Sequence, residues 1–216
     1  MKQRFHDRTE AGKLLALRLT EYVNQPDVCV LGLPRGGVPI AYEIAQALNL
    51  PMDICLVRKL GVPGQPELAM GAIAPGGVMV LNHEIIRALN ISRGAVMRVA
   101  AAEKRELERR DRAYRGDRNL LNVEGKTIIL VDDGIATSST LRAAIVTLRR
   151  QNPKAILVAV PVAAESACLS LRKMVNQIIC LMMPEPLQSI GMWYVDFSQT
   201  SDREVQRLLR QTTQVS

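Results

Sequence analysis

The sequence predicts an α/β fold in which a doubly wound parallel sheet of about five strands carries helices on both faces. Short, continuous apolar runs alternate with amphipathic segments along the chain. Such runs are typical of strands that are buried on both faces, and their alternation with helices implies parallel βαβ crossovers. The 216 residues show no internal repeat. We therefore expect a single domain over residues 1–216 with an inserted flexible loop region.

The first half of the chain contains two predicted helices and two predicted strands. They are a helix from Asp7 or Thr9 to about residue 24, a strand at 28–31, a helix from Pro39 to about Leu48 and a strand at 54–57. Asp and Thr accept hydrogen bonds at helix starts, and the leucines that follow them form an apolar face. Residues 58–77 contain three Pro and five Gly, which predicts a long flexible loop with room for a hairpin.

The second half contains three predicted strands and four predicted helices. The strands are at 126–131, 155–160 and 177–181, and the helices are at 92–115, at 139–150, near Glu165 and from Thr200-Ser201 to Leu209. Thr200 to Glu204 offers the hydroxyl and carboxylate of a capping box, so the last helix begins there. Ligands of such sheets bind beyond the carboxyl ends of the strands. Three of the predicted strand ends carry unusual residues.

The composition excludes several classes of protein. Lys and Arg outnumber Asp and Glu by 28 to 21, a formal charge of +7, which suits nucleic acid or a small polyanionic substrate. No apolar run approaches the ~20 residues of a membrane span, and no apolar stretch follows the charged amino terminus as a secretory signal requires. The four Cys lack CxxC spacing and the two His lie far apart. We therefore expect reduced thiols, no His-based metal site and a cytoplasmic protein.

The most informative segment is 128–140, where an apolar strand ends in Asp132 and Asp133 and a hydroxyl-rich turn opens the next helix. The free backbone N–H groups and the dipole of that helix make an anion site. Two carboxylates repel a phosphate, so we expect them to face hydroxyls or a metal on the ligand. A phosphate beside a diol describes a ribose 5-phosphate. The plainer alternative is a strand-to-helix turn with an Asp cap.

This segment resembles the fingerprint of the type I phosphoribosyltransferases, which bind phosphoribosyl pyrophosphate. The resemblance implies that Asp132 and Asp133 are catalytic residues that hold the ribose 2- and 3-hydroxyls, and that they hold Mg²⁺ indirectly through ligand or water. The turn that it assigns to the 5-phosphate is Ala136, Thr137, Ser138, Ser139 and Thr140. Ser138 replaces the usual Gly. A serine at positive φ would be strained, so either the turn avoids that geometry or the hydroxyl compensates by binding phosphate; we favour the second.

Two further strand ends fit the same polyanion. Residues 33–37 resemble the family's pyrophosphate loop, and a basic pair at the next strand end resembles one that contacts the same ligand. The residues that the resemblance assigns to phosphoribosyl pyrophosphate here are Arg35, Gly36, Gly37, Arg58 and Lys59. The loop at 58–77 would then close over the substrate. Taken singly, these features are a Gly-rich turn and a solvated charge pair. Three successive strand ends that suit the same polyanion are, however, hard to explain by coincidence.

The acceptor side is less defined. Trp193, Tyr194 and Phe197 lie in the segment 184–213, where the family closes its base pocket, so they either stack on an acceptor ring or pack in the core. Glu67 on the predicted loop is a candidate catalytic acid or base, with a solvated carboxylate as the alternative. Ala136 stands where the enzymes for 6-oxopurines carry an acid, which disfavours that subtype.

The resemblance extends to a group of predicted bacterial phosphoribosyltransferases of undefined acceptor, through the segments 58–64, 67–73, 114–118 and 193–197. It implies a pentosyltransferase that uses Mg²⁺ and moves ribose 5-phosphate to an acceptor, a nitrogenous base, with release of pyrophosphate. We expect a homodimer, no membrane partner and no nucleic acid partner. The alternative is a regulatory protein that senses phosphoribosyl pyrophosphate or a nucleotide, with little or no transferase activity.

Overall fold

The structure, a computed structural model, describes residues 4–116 and 118–212. Its strands are β1 (Val28–Gly32), β2 (Met52–Ile54), β3 (Arg58–Val62), β4 (Gln65–Ala74), β5 (Val78–Leu81), β6 (Thr127–Val131), β7 (Ala155–Val162) and β8 (Gln177–Met182). Its helices are α1 (Arg8–Ala16), α2 (Gly37–Leu48), α3 (His83–Ala88), α4 (Arg93–Arg115), α5 (Ser139–Arg149), α6 (Glu165–Leu171) and α7 (Asp202–Gln211). None of the helices in these two ranges combines the length and the apolar character that a membrane span needs.

Five strands form one parallel sheet in the order β2-β1-β6-β7-β8. The sheet therefore confirms the predicted α/β fold with its parallel sheet of about five strands. The central strands β1 and β6 end at the same level, because Gly32 is paired with Val131. The segments that follow these two strands consequently leave the sheet side by side, which is where ligands of such sheets bind.

The sheet is covered on both faces, as a doubly wound fold requires. In β6, Ile129 and Val131 belong to one hydrophobic cluster, whereas Ile128 and Leu130 belong to another. Successive side chains of a strand point to opposite faces, so the two clusters are the two layers of the core. Residues of α1, α2 and α7 complete the first layer, and residues of α5 and α6 complete the second. Each large side chain buried there contributes about 1.5–3 kcal/mol.

Residues 58–77 differ from the prediction of a flexible loop. They form β3 and β4, which pair in antiparallel fashion with β5 as a separate three-stranded sheet. This inserted sheet packs against α4 and α5, and its Leu60 and Met70 are fully buried in the first core layer. The Pro and Gly content of the segment predicts a loop. Its apolar side chains, however, pack against α4 and α5, and this tertiary packing stabilises the strands in spite of their low strand propensity.

Two other boundaries differ from the sequence prediction. The first helix ends at Ala16 instead of near residue 24, and a short 3₁₀ turn follows at Thr20–Tyr22. Leu17 is left exposed while Leu19 is fully buried, so the chain turns to bring Leu19 to the core. The second strand is β2, two residues before the expected run at 54–57, because its partner β1 ends at Gly32, level with Ile54.

A buried ion pair ties the end of α4 to the edge of the sheet. The Arg115 Nε atom lies 3.1 Å from both carboxylate oxygens of Asp53, and Arg115 Nη2 donates to the carbonyl of Ile54 at 2.7 Å. The backbone N–H of Leu121 donates to the same carboxylate. Because both charges are buried and fully hydrogen-bonded, the loss of either partner would leave an uncompensated charge in the interior.

Candidate functional site

The loops after β1 and β6 lie against each other at the carboxyl edge of the sheet. The Leu33 N–H donates to the Val131 carbonyl at 2.8 Å, which continues the strand pairing into the loop. A Cβ atom added to Gly37 would lie 2.5 Å from the Val131 carbonyl oxygen and 2.9 Å from the Asp132 Cα atom. Only glycine allows so close an approach of two backbones. The glycine loop and the acidic pair are therefore parts of one site.

Gly36 makes the closest contact between the two loops. A Cβ atom on this residue would stand 1.9 Å from Asp133 Oδ2 and 2.4 Å from Asp133 Cγ. The residue has helical dihedral angles, φ −62° and ψ −33°, so the space and not the backbone conformation requires glycine. The pyrophosphate-loop residues Gly36 and Gly37 and the acidic pair, which lie almost a hundred residues apart in the sequence, are brought together.

Arg8, at the start of α1, holds the Asp133 carboxylate. Its Nε and Nη2 atoms donate to Asp133 Oδ2 at 3.0 and 2.7 Å, and its Nη1 atom donates to the Ser198 carbonyl at 2.7 Å. The side chains of Arg8 and Asp133 are only 11% and 18% exposed. The sequence analysis missed Arg8, because a helix-start arginine 125 residues from its partner gives no local signal.

An aromatic cluster of Phe5, Tyr194 and Phe197 supports the acidic pair. The Tyr194 hydroxyl donates to the Asp133 carbonyl at 2.8 Å, and its ring packs between those of Phe5 and Phe197. The Arg8 guanidinium lies 4.1 Å from the centre of the Phe197 ring. Tyr194 is 2% exposed, so it has no ring face to offer an acceptor base. Its assignment to the acceptor pocket was wrong, and the core alternative describes it.

Trp193 and Phe197 are partly buried and pack against the first core layer. The segment that contains them passes over the acidic turn, since a Cβ on Gly134 would collide with the side chain of Ile190. A ring of this segment can therefore reach a ligand at the strand ends only from Trp193 or Phe197. Their role in an acceptor pocket stays a prediction.

The acidic pair has unequal electrostatics. Burial raises the pKa of Asp132 well above its ordinary value, and the neighbouring Asp133 carboxylate raises it further, whereas Arg8 acts in the opposite direction. Two carboxylates that repel each other in a cleft are typical of a ligand site. A ligand that donates hydrogen bonds or brings a cation would stabilise both in the charged form.

The hydroxyl-rich turn leads from Asp133 to α5. Thr137 and Thr140 are exposed, and Thr137 Oγ1 lies 3.5 Å from Ser139 Oγ. Ser138 has φ −81° and ψ 0° and provides no side-chain cap to α5. The turn therefore avoids positive φ, and the strained geometry that we favoured for Ser138 was wrong, whereas binding of phosphate by its hydroxyl stays a prediction. Ser138 gives the first N–H groups of α5 no side-chain partner, and their role as an anion site, with Ala136 before them, also stays a prediction.

Arg35 and Arg58 pair with carboxylates outside the acidic pair in this structure. The Arg35 Nη1 atom lies 3.6 Å from Asp202 Oδ1 of α7, and Arg58 donates to Glu103 of α4 at 2.6 Å. Lys59 is half-buried in β3 and points to the opposite face of that strand from Arg58. Glu67 belongs to β4, and its side chain lies outside the described part of the structure.

The donor set fits a Mg²⁺ ion that arrives with a phosphate ligand. In residues 4–116 and 118–212, no group of three or more His, Cys, Asp or Glu side chains could hold a metal ion. Mg²⁺ is commonly bound by one or two carboxylates together with waters and substrate phosphates. Asp132 and Asp133 supply that number of carboxylates, so the residues present suit a shared ion and not a resident one.

A separate cavity lies away from this site. It has a volume of about 370 Å³ and a mostly apolar lining between the β4–β5 turn and α4, including Ile73, Val78, Met97 and Leu107. Neither carboxylate of the acidic pair lines it. The site is therefore identified by its chemistry-bearing side chains and not by this cavity.

Comparisons with known proteins agree with this placement. The family model for the phosphoribosyl transferase domain matches residues 6–183. Rv0571c of Mycobacterium tuberculosis H37Rv, provisionally named a phosphoribosyl transferase, is 41% identical over 201 residues, which cover 93% of this chain and 45% of that protein. The chain thus spans less than half the length of the curated relatives that it matches.

Two solved structures show the same fold. TT1426 from Thermus thermophilus superposes with a TM-score of 0.88 at 37% identity, over 96% of this chain and 98% of that one. AQ2163 from Aquifex aeolicus has a TM-score of 0.52 at 12% identity, over 85% of this chain and 78% of that one, and shows similarity of fold alone.

Proposed function

Because the chain belongs to the phosphoribosyl transferase domain family, we propose that it is a pentosyltransferase which binds phosphoribosyl pyrophosphate with Mg²⁺ and transfers the ribose 5-phosphate to a nitrogenous acceptor, releasing pyrophosphate. One observation carries the proposal. The glycine loop after β1 touches the acidic pair after β6, with Gly36 against the Asp133 carboxylate. This contact supports the proposal, because it brings the loop assigned to the diphosphate next to the carboxylates assigned to the ribose hydroxyls, at the strand end that leads to α5.

The acidic pair and the turn divide the ligand between them. Asp132 and Asp133 accept hydrogen bonds from the ribose hydroxyls, which fixes the sugar ring at the strand ends. The N–H groups that open α5 and the hydroxyls of Thr137 to Thr140 bind the 5-phosphate, as helix starts bind anions. With both ends of the ribose phosphate held, its C1 atom faces the glycine loop, and this orientation lowers the entropic cost of the transfer.

The glycine loop stabilises the leaving group. Transfer breaks the bond between C1 and the diphosphate through an oxocarbenium-like state, so negative charge builds up on the diphosphate. We assign its binding to the backbone N–H group of Gly36 and to the Arg35 guanidinium, once Arg35 releases Asp202. The Gly37 N–H donates to the Leu33 carbonyl at 2.9 Å and joins them only if that bond opens. A bound Mg²⁺ would neutralise charge on the diphosphate. Arg58 joins this set only if its pair with Glu103 opens, and Lys59 of the same strand is the other basic residue that we assign to the diphosphate.

The acceptor is bound under the segment 184–213, with Trp193 or Phe197 as the stacking ring. Glu67 is the proposed acid or base. We also propose that the protein is a homodimer, which light scattering after size-exclusion chromatography would test. A scattering mass near the monomer value of 23.8 kDa would refute it.

The experiment that tests the proposed function has two arms. The first is calorimetric titration with phosphoribosyl pyrophosphate and Mg²⁺, and the second follows pyrophosphate release across a panel of purine, pyrimidine and related bases. Asp132→Asn and Asp133→Asn should abolish binding without unfolding the protein. Asp27→Asn, which removes an exposed carboxylate paired with Lys154, is the matched control and should bind as the wild type does. Absence of binding at millimolar ligand refutes the proposal.

A further inference from the structure

We propose that Arg8 is a positioning residue which holds Asp133 by one oxygen, Oδ2, so that the carboxylate presents only Oδ1 to the ribose. The inference rests on the proposed function, because it takes the ribose hydroxyls as the ligands of the acidic pair. Arg8 does not touch the ligand in this arrangement. It acts on Asp133, and through Asp133 on the sugar.

Asp133 Oδ2 is enclosed on two sides. Arg8 donates two hydrogen bonds to it, from Nε and Nη2, and the Cα atom of Gly36 abuts the same oxygen. Hydrogen bonds between charged partners are short and strong, and these partners are largely buried. A ligand therefore meets a carboxylate whose orientation is already fixed, and it has one oxygen to bind.

Arg8 is itself held from other directions. Its Nη1 atom donates to the Ser198 carbonyl at 2.7 Å, and its guanidinium stacks 4.1 Å from the Phe197 ring centre. Neither contact depends on Asp133. Release of Asp133 by Arg8 would break the two bonds to Oδ2 while the guanidinium stayed in place, so we infer that Arg8 remains on Asp133 when the ligand binds.

The charge of Arg8 also serves an anionic ligand. Asp132 and Asp133 alone would present two negative charges, and Arg8 reduces the sum to one. The repulsion between the acidic pair and the phosphates of the ligand is therefore smaller than two carboxylates without Arg8 would cause. A planar, bidentate arginine does this in a way that a lysine cannot reproduce.

The test compares Arg8→Gln and Arg8→Lys with the wild type by calorimetric titration of phosphoribosyl pyrophosphate and Mg²⁺ at pH 7.5. We expect Arg8→Gln to raise Kd by about tenfold or more. Arg8→Lys should bind more tightly than Arg8→Gln because it keeps the charge, but several-fold more weakly than the wild type because it lacks the bidentate guanidinium. If an acceptor is found, KM for the ligand should change more than kcat.

A control variant isolates the effect. Arg18→Gln removes the same charge from an exposed position and should leave Kd unchanged.

The outcomes separate the two proposals. If the wild type does not bind the ligand, the proposed function fails, and the role of Arg8 fails with it. If the wild type binds and Arg8→Gln has the same Kd, the role of Arg8 is refuted and the proposed function stands. If Arg8→Gln does not fold, Arg8→Lys decides: wild-type affinity in that variant would also refute the inference.

Discussion

A methyl group at Gly36 would test the contact between the glycine loop and the acidic pair directly. The residue already has helical dihedral angles, so Gly36→Ala introduces no backbone strain. Its only effect in the folded state is steric. The added Cβ would stand 1.9 Å from Asp133 Oδ2, about 1.5 Å short of an ordinary contact of about 3.5 Å.

The size of the effect follows from what must move. Asp133 has to shift by more than an ångström, which breaks its hydrogen bonds to Arg8. Each hydrogen bond to a charged group is worth about 1.5–3 kcal/mol, two such bonds are lost, and the stiffer unfolded chain returns about 0.4–1 kcal/mol. We therefore expect a net loss of about 2–5 kcal/mol, a fall in Tm of about 4–20 °C for a chain of this size. The Kd for phosphoribosyl pyrophosphate should rise at least about tenfold, or about 1.4 kcal/mol.

The assay pairs thermal unfolding of the free protein with calorimetric titration of the ligand. Gly94→Ala is the matched control, because a Cβ there would meet only the far end of the Arg98 side chain at 3.6 Å. It should leave Kd unchanged. The double variant Gly36→Ala, Asp133→Ala should lose little more stability than Asp133→Ala alone, since the clash has no partner left. Wild-type Tm and Kd in Gly36→Ala would refute the reasoning, because the two loops could not then be in contact.

Three further outcomes can be checked. Asp132→Asn should stabilise the free protein against urea at pH 7 but not at pH 4. The pKa of Asp132 is raised in the folded state, so the wild-type protein loses stability as the pH rises above the pKa of this carboxyl in the unfolded chain, and the amide removes that loss. Equal effects at both pH values would contradict this expectation. Arg115→Met should lower the free energy of unfolding by about 3–5 kcal/mol, because it leaves Asp53 buried and unpaired, and Tm should fall by about 6–20 °C. Arg112→Met, at an exposed position of the same helix, is the control and should change Tm little. A small change in both variants would show that the pair is not buried. Iodoacetamide should label Cys168 before Cys29 and Cys55. Interaction with the neighbouring Cys180 thiol lowers the pKa of Cys168 to about 7, whereas burial raises the pKa of Cys29 and of Cys55 to about 12. Peptide mass spectrometry that finds Cys29 labelled equally fast would contradict this expectation.

The parallel sheet could be predicted from the sequence because its signal is local. Each strand is a short apolar run with a turn after it, and the run at 126–131 became β6 with its end at Val131. In a parallel sheet the carboxyl ends of neighbouring strands lie at the same edge, so the glycine loop after β1 and the acidic pair after β6 could be expected close together. This expectation requires no knowledge of side-chain positions.

The inserted sheet could not be predicted in the same way. Its strands contain Pro66, Gly61 and Gly71, which are unfavourable in strands by composition alone. Gly71 is needed because a side chain would collide with the carbonyl of Val80 on β5. Tertiary packing against α4 and α5 thus explains both the strands and the glycine within them, and neither is visible from local propensity.

The support of the acidic pair depends on the two ends of the chain. Arg8 comes from α1, and Tyr194, Phe197 and Ser198 come from the segment after β8, yet all four converge on or beneath Asp133. The Phe5 N–H donates to the Trp193 carbonyl and closes this arrangement. A site that carries two repelling carboxylates destabilises the folded protein, and the Arg8 cation together with the packed aromatic side chains offsets part of that destabilisation. Sequence patterns identify the carboxylates, because their function requires them to be adjacent. They cannot identify the residues that hold the carboxylates in place, because any buried cation that the topology brings to the same edge could do so.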